Sequence, residues 1–183
     1  MRIIAGTAGG IRLKVPKRVT RPSTDRLREA LFSILVVKLD GARVLDLFSG
    51  SGALGVEALS RGASSATLVE ENSQACKVIE ENLKTAKLQG ELRRGDVFSV
   101  LGRLGGRFDV VFADPPYAVH GRDDLAQKLL DEGSLPGLMA EEGLLVLEVE
   151  TERKAPEGEK WSLVDRRVYG SSAVLFYEVA GGS

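Results

Sequence analysis

Four consecutive residues, Asp114-Pro115-Pro116-Tyr117, offer a specific kind of chemistry. The two prolines remove two backbone N–H donors and hold two φ angles near about −65°. Asp114 precedes a proline and is steered away from helical geometry. The product is a stiff, extended turn with one carboxylate, carbonyl oxygens free of competing N–H groups, and one aromatic ring. Such a turn can hold a flat molecule bearing an –NH2 group, with acceptors in the plane of the amine and the ring against its face. Taken alone, it also reads as a Pro-rich turn after a strand, so the rest of the chain decides.

A second constellation is Gly50-Ser51-Gly52-Ala53-Leu54-Gly55, a literal G-x-G-x-x-G between an apolar run and a helical pattern. Its glycines let the backbone turn tightly and approach a ligand closely. Glu70 stands 20 residues after Gly50, at the end of the second apolar run. There a carboxylate can accept hydrogen bonds from ribose hydroxyls, and Asp96, closing the third run, can meet an adenine edge. This loop with an acid at each of the next two strand ends predicts a nucleotide-type cofactor. Its candidate contacts are Asp46, Phe48, Ser49, Gly50, Ser51, Gly52, Leu54, Glu70, Glu71, Asp96 and Val97. Two cofactor classes fit. A nicotinamide dinucleotide sets its pyrophosphate on a helix N-terminus, whereas S-adenosylmethionine brings an ammonium group. Asp46, four residues before Gly50, points a negative charge toward the loop and suits the ammonium better, although a strand Asp can equally bond the loop backbone.

The elements that must position these residues follow a strand–helix rhythm. Strands are expected over 43–48, 66–70, 91–94, 108–113 and 143–149, and helices over about 53–61, 73–88, 97–103 and 123–132. Strands alternating with helices imply a parallel sheet covered on both faces. The end differs: residues 161–168 and 173–179 around Gly170-Ser171-Ser172 read as an antiparallel hairpin on the sheet edge. Before this series, residues 1–22 look like a small basic, hairpin-like extension. A helix capped by Ser23 or Thr24 then opens the main domain, residues 23–180, with Leu27, Ala30, Leu31, Ile34 and Leu35 at helical spacing.

With 183 residues, 43% of them hydrophobic and 28% charged, the chain suits one globular domain with a substantial core. No apolar run is long enough to cross a bilayer, and the first residues lack the apolar core of a secretory signal, so a cytoplasmic protein is expected. The single cysteine, Cys76, excludes an internal disulfide or a cysteine-built metal site, and no other residues have metal-ligand spacing. It reads as a half-buried structural thiol, and Trp161 as a core or edge residue. Net charge is −1, but residues 1–43 carry ten basic side chains against three acidic ones, leaving −8 on the remainder. That split suggests a basic face for a polyanion, with Arg12, Lys14, Lys17, Arg18, Arg21, Arg26 and Arg28 as candidate phosphate contacts. His120, the only histidine, is read as a surface loop residue.

Taken together, Val44 to Gly52, Glu70, Asp96 and Asp114 to Tyr117 resemble the class I S-adenosylmethionine-dependent methyltransferases that act on exocyclic amines. Met1 to Gly6, Arg21 to Phe32 and Asp46 to Leu59 are similar, more closely, to the bacterial small-subunit (16S) ribosomal RNA guanine-N2 methyltransferases known as the RsmD family. The resemblance runs essentially from end to end. It implies a Rossmann-like sheet of seven strands, mostly parallel, with a C-terminal antiparallel hairpin. It further implies S-adenosylmethionine as cofactor, 16S ribosomal RNA or the small subunit as partner, and no metal; a monomer suffices. On this reading Asp114 and the Pro115 carbonyl accept the two N–H bonds of the amine, with Pro116 stiffening the turn. Tyr117 stacks on the base through its ring rather than acting through its hydroxyl. The alternatives are the same chemistry on DNA or a protein glutamine, or an RNA-binding assembly factor without turnover; a dehydrogenase survives only through the glycine loop.

Overall fold

A computed structural model describes residues 1–17, 24–117 and 123–181. Seven strands form one sheet: β1 (Arg43–Leu47), β2 (Ser65–Glu70), β3 (Glu91–Arg94), β4 (Phe108–Ala113), β5 (Met139–Glu150), β6 (Trp161–Tyr169) and β7 (Ser172–Val179). Their order is β3-β2-β1-β4-β5-β7-β6. The first five run parallel, β7 lies antiparallel to β5, and β6 antiparallel to β7 on the edge. The strands match the expected ones closely. β5 starts four residues early because Met139 pairs with Phe108 across an irregularity in the ladder.

Chain order reverses at the β1–β4 boundary, where open α/β sheets leave a crevice beyond the strand ends. Asp46 lies opposite Phe112 and Leu47 opposite Ala113, so the loops leaving β1 and β4 emerge side by side. This pairing brings the glycine loop and the Asp114 turn together.

Alternate residues of the strands face opposite sides. Val44, Leu68, Phe112 and Val146 pack with α1 (Asp25–Ile34), α3 (Ala53–Ser60) and α4 (Ser73–Ala86). Leu45, Val69, Val111, Leu145 and Tyr177 pack with α5 (Val97–Leu101) and α6 (Leu125–Asp131), a cluster that also takes in Trp161. Two short elements escaped the sequence reading: α2 (Val36–Leu39) and a single 3-10 turn at Leu135–Leu138. Helix starts follow their side chains: Thr24 accepts from Leu27 N–H, Asn72 from Gln74 and Ala75, Asp96 from Ser99, and Asp124 from Gln127. Ser23, the other candidate cap, lies outside the described residues. Cys76 is buried in α4, its thiol 3.4 Å from the Glu70 carbonyl oxygen.

The N-terminal residues form a hairpin-like loop, with Ile3 N–H donating to Ile11 O at 2.9 Å and Gly10 N–H to Ile3 O at 2.8 Å. Ile3, Ala8 and Leu13 are buried in the same cluster as α1, α3 and β1. Polar side chains of the main body hold this loop. The Glu57 carboxylate accepts from Ile4 and Ala5 N–H, and the Ser60 hydroxyl donates to Ala5 O and accepts from Ala8 N–H. Asn82, 1% exposed, accepts from Lys14 N–H and donates to the carbonyls of Lys14 and Ser51.

Candidate active site

The loop after β1 turns through three left-handed residues, Phe48, Gly50 and Gly52, with φ of 58°, 55° and 75°. It is pinned from below and from the side. Ser49 Oγ donates to Asp46 O at 2.6 Å, and Gly52 N–H to Ser49 O at 2.7 Å. Glu70, at the end of β2, accepts from Gly50 N–H with one carboxylate oxygen and from Asn72 N–H with the other, both at 2.8 Å. A Cβ on Gly55 would lie 2.9 Å from a Leu68 methyl carbon and 3.2 Å from Asp46 Oδ2; one on Gly52 would lie 3.0 Å from the same leucine. Glycine at these two positions lets the helix start sit down on β2.

Asp46 is buried, with Oδ2 accepting from Gly55 N–H at 2.9 Å. Burial raises its pKa from the usual carboxylate range to about 7; the Gly55 N–H opposes that rise, and the nearby Glu70 charge adds to it. Of the two readings of this residue, the structure shows the bond to the loop backbone, and burial disfavours its ionised form.

A cavity of about 890 Å3 opens at the strand ends. Asp46, Phe48, Ser49, Gly50, Ser51, Leu54, Glu70, Glu71, Asp96 and Val97 all line it. Gly52 does not; it sits beneath the loop against Leu68 and Ile79. Asp114, Pro115, Pro116 and Tyr117 line the same cavity from the β4 side. Pro115 is buried, whereas Asp114 and Tyr117 are half-buried. The Tyr117 hydroxyl lies 3.2 Å from Ser172 Oγ, which donates to Glu148 Oε1 at 2.7 Å. The hydroxyl, to which the sequence assigned no part, thus ties the ring to β7.

Several lining residues went unread in the sequence. Glu148 stands near the end of β5, and an acid at that strand end is the same signal that singled out Glu70 and Asp96. Phe98 meets Phe48 edge-on at 6.3 Å, with Lys128 Nζ over its ring at 4.4 Å. Met1 and Pro16 enter from the N-terminal loop, which no local pattern could place there.

The basic candidates divide. Arg12, Lys14, Lys17 and Arg26 are exposed, with Lys14 paired to Glu81 at 2.7 Å. Arg18 and Arg21, like His120, lie outside the described residues. Arg28 corrects the sequence reading: it is fully buried and cannot face a polyanion. Its guanidinium donates to Arg2 O at 2.6 Å and Asp25 Oδ1 at 2.7 Å, and lies 3.4 Å from the buried Glu57. It joins the N-terminal loop, α1 and α3 from inside.

The donor set fits S-adenosylmethionine better than a dinucleotide. A pyrophosphate at the α3 N-terminus would face the Asp46 and Glu70 carboxylates, and Gly50 N–H is already committed to Glu70. An ammonium group there would instead meet the buried Asp46 carboxylate, whose ionised form burial disfavours. A seven-stranded sheet with β7 inserted antiparallel between β5 and β6, and an acid-rimmed cavity at its switch point, define a class I methyltransferase fold.

Comparison with known proteins narrows the class. Residues 1–178 match the family model described as Conserved hypothetical protein 95. The chain is 37% identical over 181 residues to ribosomal RNA small subunit methyltransferase D of Escherichia coli K12, covering 97% of this chain and 89% of that one. It is 32% identical to the protein of the same name from Haemophilus influenzae Rd, covering 97% and 93%. Among solved structures, a hypothetical protein of Thermus thermophilus superposes with a TM-score of 0.84 at 39% identity, covering 98% of this chain and 99% of that one. The chain belongs to this family, the RsmD family of small-subunit ribosomal RNA methyltransferases.

Proposed function

We propose that this protein methylates the exocyclic N2 amine of a guanine in 16S ribosomal RNA, using S-adenosylmethionine. The observation that carries the reading is one cavity at the β1–β4 switch point with two chemically distinct halves: Asp46, Glu70 and Asp96 on one side, Asp114-Pro115-Pro116-Tyr117 on the other. The cofactor, when bound, supplies a methyl group on an electrophilic sulfonium. Asp46 holds its ammonium group, Glu70 its ribose hydroxyls, and Asp96 its adenine edge, with Leu54 and Phe98 as apolar flanks.

The guanine N2 lone pair is delocalised into the ring and attacks poorly. Asp114 and the Pro115 carbonyl accept its N–H bonds, which localises the pair and aims it across the cavity toward the β1 half. Tyr117 stacks on the base, which must leave its helix to enter. The lone pair so held is the one that would take the methyl group from the sulfonium, whose sulfur would keep the electrons of the S–C bond. The extra proton on N2 passes to Asp114 directly or through water. Much of the acceleration comes from orientation and from carboxylate charge placed where positive charge develops. Arg12, Lys14, Lys17 and Arg26, with Arg18 and Arg21 beyond the described residues, hold the phosphates of the RNA.

The test is incubation with tritiated S-adenosylmethionine and small-subunit RNA or particles from cells lacking the enzyme. Label in a single N2-methylguanosine supports the reading, whereas label in DNA or protein alone would overturn it. Asp114→Ala should bind S-adenosylhomocysteine within about twofold of wild type yet lose transfer by about 10³-fold or more. Near-normal turnover would remove Asp114 from the mechanism.

A further inference from the structure

Glu148 sits where a second carboxylate can reach the acceptor. Ala113 pairs with Leu147 in the β4–β5 ladder, so Asp114, just past the end of β4, stands level with Glu148, still within β5. Adjacent strands lie only about 4.8 Å apart, and both side chains line the one cavity. The sheet order β2-β1-β4-β5 sets Glu148 beyond Asp114, away from Asp46 and Glu70. It therefore belongs to the acceptor half and not to the cofactor half.

The carboxylate is held in place. Ser172, 5% exposed on β7, donates to Glu148 Oε1 at 2.7 Å. With that proton committed, the Tyr117 hydroxyl, 3.2 Å from the same Ser172 oxygen, is the donor of the remaining bond. One chain, Tyr117 to Ser172 to Glu148, thus sets an aromatic ring and a carboxylate in fixed relation: the ring for the face of a base, the carboxylate for its edge. A carboxylate accepts several hydrogen bonds at once, so a seated base can share Glu148 with Ser172.

We infer that Glu148 is a specificity-determining residue that accepts the N1–H of guanine beside the amine held by Asp114. The inference rests on the guanine-N2 reading above and adds the group that would choose guanine. The amine of guanine is flanked by an N–H donor. The amines of adenine and cytosine are flanked by ring nitrogens with lone pairs, and the amide nitrogen of glutamine by a carbonyl oxygen. Each of those would set an acceptor against the Glu148 carboxylate. Sites built to hydrogen-bond one group discriminate strongly against analogues that leave it unmet.

The decisive probe is small-subunit RNA carrying either guanine or 2-aminopurine at the methylated position. Both present the same amine, but N1 of 2-aminopurine has no proton. Wild type should prefer guanine in kcat/KM by roughly 10- to 100-fold. In Glu148→Gln the side-chain amide can donate to an unprotonated N1. Guanine transfer should fall by that order while the preference narrows at least about tenfold, with S-adenosylhomocysteine affinity near wild type. Contacts to the guanine O6, absent from 2-aminopurine, enter both enzymes alike and cancel in the ratio. Equal losses on both RNAs, with the preference intact, would overturn the role of Glu148 while leaving the guanine reading standing. Absence of any N2 label from wild type would overturn the guanine reading itself. Ser172→Ala, which keeps the carboxylate and frees it to wander, should narrow the preference in the same direction by less. If Glu148→Gln does not fold, an unchanged preference in Ser172→Ala decides against the proposal.

Discussion

Asp46 is a carboxylate in a place that disfavours its charge, and its titration gives the cofactor reading a measurable edge. Its folded pKa of about 7 lies above the 3.8 of an exposed aspartate. Between those values the native state holds a proton that the unfolded chain has lost, so this group's contribution makes the cofactor-free protein less stable as pH rises from about 4 to 7. A bound ammonium favours the ionised form and reverses the trend. S-adenosylhomocysteine should bind more tightly as pH rises through about 7, and binding at pH 6 should release close to one proton. Calorimetry in two buffers of different ionisation enthalpy reads that proton. Pure backbone capping by Asp46 would leave proton release near zero and affinity flat. Arg28 shows the opposite residue-scale outcome. By composition it was one of seven candidate phosphate contacts in a basic stretch; in space it is a buried clasp, because Glu57 and the Arg2 carbonyl, remote in sequence, surround its guanidinium. No local signal announces such partners.

The N-terminal loop and α3 behave as one element pair. Gly6, at φ +85°, passes so close that a Cβ would stand 1.8 Å from the Ser60 carbonyl oxygen. Gly6→Ala should therefore destabilise the protein by about 3 kcal/mol or more, read as a fall in Tm of roughly 10 °C. Asn82 joins α4 to both the Lys14 backbone and the Ser51 carbonyl of the glycine loop. Asn82→Ala leaves three backbone groups, the buried Ser51 carbonyl among them, without that partner and should cost about 2–4 kcal/mol in chemical denaturation. It should also weaken S-adenosylhomocysteine binding, because Ser51 lines the cavity. Wild-type cofactor affinity in a destabilised Asn82→Ala would show that the clamp serves stability alone. Element boundaries were legible to within a few residues wherever an apolar period and a cap coincided, as at Thr24, Asn72 and Asp96. The α2 turn and the 3-10 turn were not, since four residues carry too little period to read.

For the whole molecule, the near-neutral net charge hides an uneven distribution. The acids that the sequence singled out rim the cavity, while Arg12, Lys14, Lys17 and Arg26 are exposed on the N-terminal side of the chain. Neutralising Arg12 and Lys17 together should weaken RNA binding across sequences and reduce the slope of log K against log salt by about 1.4–1.8. Cofactor affinity should be unchanged. The corresponding change at Arg28 should unfold the N-terminal loop rather than alter the salt slope, because the buried Glu57 would lose its guanidinium neighbour. A salt slope equal to wild type in the Arg12/Lys17 variant would move the RNA path elsewhere on the surface.

Sequence alone determined the chemistry at each strand end: a proline-stiffened Asp114 turn, a glycine loop, and acids at 46, 70 and 96. These are local properties, since backbone restriction, glycine freedom and the apolar period all act within a few residues. It also determined the strand–helix alternation from which the parallel sheet follows. Only the tertiary structure decided which strand ends are neighbours, because the β1–β4 pairing joins residues more than sixty positions apart. That pairing put the Asp114 turn and the glycine loop on the wall of one cavity. The β4–β5 ladder set Glu148 beside Asp114, and packing of the N-terminal loop brought Met1 to the pocket wall and took Arg28 out of the solvent. Burial and long-range hydrogen bonds are properties of the packed chain, and a side chain acquires them only from partners that sequence distance conceals.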